Sequence, residues 1–213
     1  MTNQNLTTFY IIRHGETDWN VQHRIQGHTD IPLNENGRAQ AKEAARLLKD
    51  VKFDLAFSSD LLRAKETAEI VALEHNLEVT TTQLLRERKY GEMEGKNQEA
   101  FRAFDELFKT LSDEEKNKFK YSSFGENNEE IIVRFITFIR ETAVTHPGKT
   151  ILVGTHGSMM AALLIHLGIL SRKDPRYSIN NGAYVKLLSD GVEFVVKETH
   201  GIDIPKEGSL KNE

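Results

Sequence analysis

The chain has 213 residues, a hydrophobic fraction of 38%, a charged fraction of 28% and a formal net charge of −4. A chain of that size buries about 70% of its unfolded surface as one globular domain and carries too many apolar residues for a disordered one. Zero cysteines exclude a disulfide framework and thiolate metal sites and fit a reducing, cytoplasmic setting. The charge argues against nucleic acid as a partner, and no apolar run approaches the ~20 residues of a membrane span. The polar opening MTNQNLTT carries no apolar signal region.

Residues 9–12 (FYII) are a short apolar run rich in bulky and β-branched side chains, which predicts a buried strand. It stops at Arg13-His14-Gly15-Glu16-Thr17. Ligands of α/β sheets sit just beyond the carboxyl ends of central strands. A cation, an imidazole and a glycine placed there suit an anion. Arg13 can fork onto two phosphate oxygens, Gly15 admits close backbone approach, and His14 can attack or bind. The tripeptide alone is weakly specific. A polar loop follows over 21–32, carrying Arg24, Gln26, His28 and Asp30.

Asn34 then reads as the N-cap of a helix whose Ala41, Ala44, Ala45 and Leu48 share one face. Residues 55–58 predict a second strand, followed by a helix with Leu61, Ala64, Ala68, Val71 and Ala72 on one side. Its first turn holds Arg63. A cation there opposes the helix dipole by a few tenths to ~1 kcal/mol, so either solvent screens it or a bound anion offsets it. Residues 79–82 are a β-branched strand, and Glu87 follows among cations, as a solvated charge or as an acid.

In 96–124, Phe101, Phe104 and Phe108 keep helical spacing, which predicts an amphipathic helix in an inserted segment that can serve as a lid. Gly125-Glu126 opens a long helix with a stripe of Ile132, Phe135, Ile136, Ile139 and Ala143, ended by His146-Pro147-Gly148. Residues 150–153 repeat the opening grammar: an apolar strand, a short polar step, then His156-Gly157. If the two strands are parallel neighbours, their ends present two imidazoles side by side. An Ala- and Leu-rich helix occupies 158–167. Strands over 183–188 and 192–196 flank a hairpin turn at Ser189-Asp190-Gly191. Residues 1–200 read as one domain with the inserted segment at about 96–124, and 201–213 as a loose C-terminal tail. His23, His28, His75, His146, His166 and His200 have no special setting and read as surface, helix or loop residues.

Two histidines and two arginines at element ends, with a candidate acid, match the needs of phosphoryl transfer: charge around the equatorial oxygens, an in-line nucleophile and a proton donor for the leaving oxygen. Neutral imidazole is a competent nucleophile near pH 7, so His14 could carry the phosphoryl group. Arg13, Arg63 and His156 would clamp the oxygens, and Glu87 would protonate the departing alcohol. With no HExxH, no cysteine and no acidic cluster beside either His-Gly, no metal ligand is assigned.

Arg13-His14-Gly15-Glu16-Thr17 with Trp19-Asn20 resembles the signature of the histidine phosphatase superfamily, the phosphoglycerate-mutase-like proteins. The resemblance continues through Leu33-x-x-x-Gly37, Ser58-Ser59-Asp60-Leu61-x-Arg63-Ala64-x-x-Thr67-Ala68, Leu85-x-Glu87-x-x-x-Gly91-x-x-Glu94-Gly95, Gly125-Glu126 and Thr155-His156-Gly157, in family order. It implies an α/β fold, a three-layer α/β/α sandwich around a central, mostly parallel sheet. It also implies cofactor-free, metal-independent chemistry on a small phosphorylated substrate through a phosphohistidine. His14 is the nucleophile, Arg13, Arg63 and His156 form the phosphate pocket, and Glu87 is the proton donor. Asn20 and Gln26 align with positions that line the phosphate or substrate in relatives, and Gly27, Tyr90 and Gly157 complete the expected binding set.

Within the family, mutases resemble each other in a lysine shortly after the Glu-containing loop and in paired arginines in the insert. This chain has Gln98 at the aligned lysine position and no Arg-Arg pair in 96–134. A phosphomonoesterase is therefore the favoured reading. A phosphoglycerate mutase and a non-catalytic phospholigand-binding module are the alternatives. Substrate identity and oligomeric state are not legible.

Overall fold

The computed structural model describes residues 6–171 and 177–204. β1 (Thr7–Arg13), α1 (Asp18–Val21), α2 (Glu35–Leu48), β2 (Leu55–Ser59), α3 (Leu62–Leu73) and β3 (Val79–Thr82) form the first half. α4 (Asp105–Thr110), α5 (Asp113–Lys118), α6 (Asn128–Thr145), β4 (Thr150–Thr155), α7 (Gly157–His166), β5 (Ser178–Ser189) and β6 (Phe194–Asp203) follow. The sheet order is β3-β2-β4-β1-β5-β6. β1, β4, β2 and β3 pair in parallel, whereas β1–β5 and β5–β6 are antiparallel. The sheet is thus mostly parallel, as the sequence implied.

β1 is apolar on both faces because it lies between two helical layers. Phe9 and Ile11 join Phe135 and Ile139 of α6 and Met159 and Leu163 of α7 in one core. Tyr10 and Ile12 join Ala44, Ala45 and Leu48 of α2 and Val71 of α3 in the other. Each such side chain, taken out of water, contributes about 1.5–3 kcal/mol. The chain runs from β1 outward through β2 to β3, then reverses and inserts β4 beside β1. α2 and α7 leave the ends of these neighbours on opposite faces, which opens a crevice at their carboxyl ends.

Several boundaries differ from the sequence reading. The phenylalanine segment is not one helix: a 3-10 stretch, Gln98–Phe104, gives way to α4, and α5 follows separately. The long helix starts at Asn128 rather than Gly125, since Asn127 and Glu130 form a reciprocal capping box. β5 begins five residues earlier than expected, at Ser178. Residues 201–203 belong to β6, with Ile202 opposite Ile179, so the tail is shorter than its polar composition suggested. The remaining tail, 205–213, lies outside the described residues. No helix among the described residues is long and apolar enough to cross a membrane.

The turn after β1 is held by backbone contact with the start of α2. Asn34 caps α2 by accepting from the Gly37 amide at 2.8 Å, and its own amide donates to the Glu16 carbonyl at 3.0 Å. A Cβ on Gly37 would lie 2.1 Å from the Glu16 carbonyl oxygen. Alanine in a helix is worth about 1 kcal/mol over glycine, but overpacking costs about 1–3 kcal/mol. A clash at 2.1 Å with backbone takes the upper end of that range, so Gly37→Ala is expected to lower stability by about 2 kcal/mol net in urea unfolding. A raised urea midpoint would contradict the contact.

Candidate active site

In-register pairing of Arg13 with Thr155 brings the ends of β1 and β4 together, and the His14 amide donates to the Thr155 carbonyl at 3.0 Å. The two imidazoles consequently meet, with ring centroids 5.2 Å apart at 61°. The His14 Nδ1 lies 2.7 Å from the Gly15 carbonyl oxygen. A carbonyl only accepts, so this contact assigns the proton to Nδ1 and leaves the Nε2 lone pair unprotonated. Burial, then the Arg63 and Arg13 guanidinium groups, push His14 well below the usual histidine range. Burial, then Arg63 and His14, do the same to His156. Both rings are neutral at pH 7.

Arg63 is fully buried in the first turn of α3. Its Nη1 donates to the Thr29 carbonyl at 3.0 Å and its Nη2 to the Gly27 carbonyl at 2.8 Å. It belongs to no ion pair among the described residues, and its Nε has no partner. Desolvating an ion costs several kcal/mol, and a hydrogen bond to a charged donor contributes about 1.5–3 kcal/mol. Two carbonyl bonds thus roughly cover the cost. Burial pushes Arg63 down to about 10, still charged at pH 7. Arg13 donates through Nη1 to the Ile179 carbonyl, while its Nε is also unpartnered. Gly157 permits this placement, because a Cβ there would lie 3.2 Å from the Arg13 Nε.

Glu87 approaches from the loop after β3. Its Oε1 accepts from the Arg88 amide at 2.7 Å and its Oε2 from the Ser158 amide, in the first turn of α7, at 3.2 Å. Arg13, His14, Asn20, Gln26, Gly27, Arg63, Glu87, Tyr90 and Gly157 all line one cavity of about 460 Å³. His156 is the exception: fully buried, it stands behind His14 rather than on the cavity wall, with neither ring nitrogen partnered. Asn20 uses its Oδ1 to accept from the Thr17 amide at 3.1 Å, which leaves its Nδ2 for an anion.

Supporting residues escaped the sequence reading. Thr67 accepts from the Gly15 amide at 3.0 Å and donates to the Arg63 carbonyl at 2.7 Å, tying the turn after β1 to the first turn of α3. Asn181 donates to the His14 carbonyl at 3.0 Å. Arg134 forks onto Glu126 at 2.9 and 3.0 Å and donates to the carbonyls of Leu84, Arg86 and Glu87, fixing the loop that carries Glu87. His28, read as an ordinary loop residue, is half-buried and bonds the Glu87 carbonyl at 2.9 Å. Arg24, noted only as loop polarity, also lines the cavity. No local signal marked Arg134, which lies off the stripe of Ile132, Phe135, Ile136, Ile139 and Ala143. Among the described residues no group of three or more His, Cys, Asp or Glu could hold a metal ion.

A profile of the histidine phosphatase superfamily (branch 1) matches residues 9–200, and the chain belongs to that family. Phosphoglycerate mutase-like protein 4 of Arabidopsis thaliana is 37% identical over 190 residues, 88% of this chain and 82% of that protein. The uncharacterized phosphatase PhoE of Bacillus subtilis is 34% identical over 164 residues, 76% of this chain and 78% of that one. A mycobacterial glucosyl-3-phosphoglycerate phosphatase solved with VO3 superposes with a TM-score of 0.76 at 27% identity, covering 89% of this chain and 96% of its own. Phosphoglycerate mutases are among the relatives as well.

Because both imidazoles bind protons more weakly folded than unfolded, the unfolded chain holds more protons below about pH 6.5, and stability falls as pH drops through that value. The two groups contribute little slope above about pH 7.5, where the unfolded imidazoles are neutral as well. The His14→Asn, His156→Asn double variant should have a shallower decline in urea midpoint between about pH 7 and 5 than the unsubstituted protein. Equal slopes would mean that the rings are not held neutral.

Proposed function

We propose that the protein is a metal-independent phosphatase that hydrolyses phosphomonoesters through a phosphohistidine at His14. The observation that carries this reading is the His14 ring itself: neutral, with its Nδ1 tied to a carbonyl and its Nε2 available, at the wall of a cavity bearing two guanidinium groups. Arg13 and Arg63 would bind the phosphoryl oxygens, with His156 behind His14 completing the pocket. In the first step the Nε2 lone pair forms the N–P bond as the P–O bond to the alcohol breaks. Glu87, entering protonated, gives its proton to the departing oxygen. Water then attacks phosphorus, Glu87 takes its proton, the N–P bond breaks, and inorganic phosphate leaves His14 neutral again.

Phosphoglycerate mutase activity is the second reading, favoured by the mutases among the relatives. Gln98 on the cavity wall argues for hydrolysis, because its neutral amide gives a bisphosphate's distal charge no counterion. Incubation with 3-phosphoglycerate and a bisphosphate primer separates the two. Free phosphate is expected in excess over isomerised product, and efficient interconversion with little free phosphate would reverse the assignment.

His14→Ala should lower kcat/KM for p-nitrophenyl phosphate at least ~10³-fold, about 4 kcal/mol of transition-state stabilisation, with the fold intact. A chelator should leave the unsubstituted enzyme unchanged. Activity that survives the substitution would remove His14 as nucleophile. Because burial and the two guanidinium groups hold His14 well below the usual histidine range, kcat/KM is expected not to fall as pH drops from about 7 to about 6, where an ordinary imidazole nucleophile would be lost. A fall in rate over that interval that follows the protonation of a histidine would count against a His14 held neutral.

A further inference from the structure

The reaction cavity does not end at the phosphate site. Tyr90, Phe101, Ser158, Ala161 and Tyr177 form a wall shared with a second, larger cavity of about 920 Å³. One side of it is aromatic. From Tyr90 at the phosphate end, ring contacts pass to Phe101 at 5.5 Å, from Phe101 to Tyr121 at 4.6 Å, and from Tyr121 to Phe104 and Phe108 at 5.5 and 5.7 Å. The opposite side is α7, presenting Ala161, Ala162 and Ile165.

One buried cation faces this space. Arg88 is 8% exposed, and its Nη2 donates to the Asn128 side chain. Its Nε has no partner, and it belongs to no ion pair among the described residues. Of the other charged groups on the wall, Lys109 is neutralised by Glu106 at 2.6 Å, which leaves Lys116 and Asp105 to offset each other. Arg88 thus sets the sign of the cavity.

We propose that this second cavity receives the alcohol of the substrate, and that this alcohol is a flat apolar body of aromatic size bearing an anionic group that Arg88 reads. The inference rests on the phosphatase reading above and names its substrate class. A three-carbon acid such as glycerate would leave the larger cavity filled with water. A sugar or polyol would set part of its hydroxyl groups against ring and aliphatic faces, where Asn128, Ser158 and the charged residues of the wall do not serve them, which is costly. A naphthalene-sized group meets ring faces on one side and aliphatic side chains on the other.

The test ranks kcat/KM for phosphate release from glycerol 3-phosphate, 3-phosphoglycerate, 2-naphthylmethyl phosphate and the ring-carboxylated isomers of the last. All are alkyl esters, so the ranking reads the cavity rather than the intrinsic lability of aryl phosphates. The naphthylmethyl ester is expected to exceed glycerol 3-phosphate at least ~10²-fold, with a further gain of about 10-fold for the best carboxylated isomer. Phe104→Leu, on the second cavity only, should erase much of the first gain and leave glycerol 3-phosphate turnover within about twofold, which also reports that the variant folds. Arg88→Gln should erase the carboxylate gain alone. Equal or better turnover of glycerol 3-phosphate or 3-phosphoglycerate by the unsubstituted enzyme overturns the substrate class while leaving the phosphatase reading intact, and absence of a carboxylate gain overturns the role of Arg88. Failure to release phosphate from any ester overturns the phosphatase reading instead.

Discussion

The site depends on one electrostatic constraint: a buried guanidinium with only carbonyl oxygens for partners, placed beside two imidazoles. Arg63 has no carboxylate within ion-pairing distance among the described residues, and Glu87, Asp30 and Glu94 offset its charge only from farther away. Its field adds to burial to keep His14 and His156 unprotonated. Had a carboxylate paired with Arg63, the imidazoles would sit in a weaker positive field, and an incoming anion would have to displace an ion pair. The cost of leaving the cation unpaired is carried by the two carbonyl bonds and by the packing of the sheet around it.

The fold supplies this arrangement through strand order. Reversal of the chain after β3 makes β1 and β4 parallel neighbours, so two remote His-Gly dipeptides end at the same level. Backbone-to-backbone contact between the turn after β1 and the start of α2 leaves no room for side chains, which is why Gly15 and Gly37 face each other: a Cβ on Gly15 would lie 2.3 Å from the Gly37 carbonyl oxygen. On the other flank, Arg134, Glu126 and His28 hold the backbone of the loop carrying Glu87. Glu87 is therefore placed by main-chain bonds rather than by its own rotamer alone.

Much of this was legible before any coordinates. The strands over 9–12 and 150–153 are apolar on both faces, a pattern that central parallel strands require, and the His-Gly echo at their ends was readable as convergence. Arg63 stood out because a cation in the first turn of a helix is electrostatically misplaced without an anion. What could not be read was tertiary in origin. Nothing local to His156 says that it stands behind His14 instead of on the cavity wall. His28 gained its place only when the loops at 26–30 and 84–91 met. The phenylalanine spacing was helical, but whether 3-10 or α, and where it breaks, depends on packing around Tyr121.

Convergence of His14, Arg13 and Arg63 on one tetrahedral anion, with His156 packed behind His14, is the claim on which the account stands. Its most direct test is a crystal structure of the protein soaked with orthovanadate, which mimics the transferring group. The account predicts vanadium bonded to the His14 Nε2, its equatorial oxygens within hydrogen-bond distance of both guanidinium groups, and an apical oxygen facing Glu87. Vanadate bound elsewhere, or held at this cavity without a bond to His14, would contradict it.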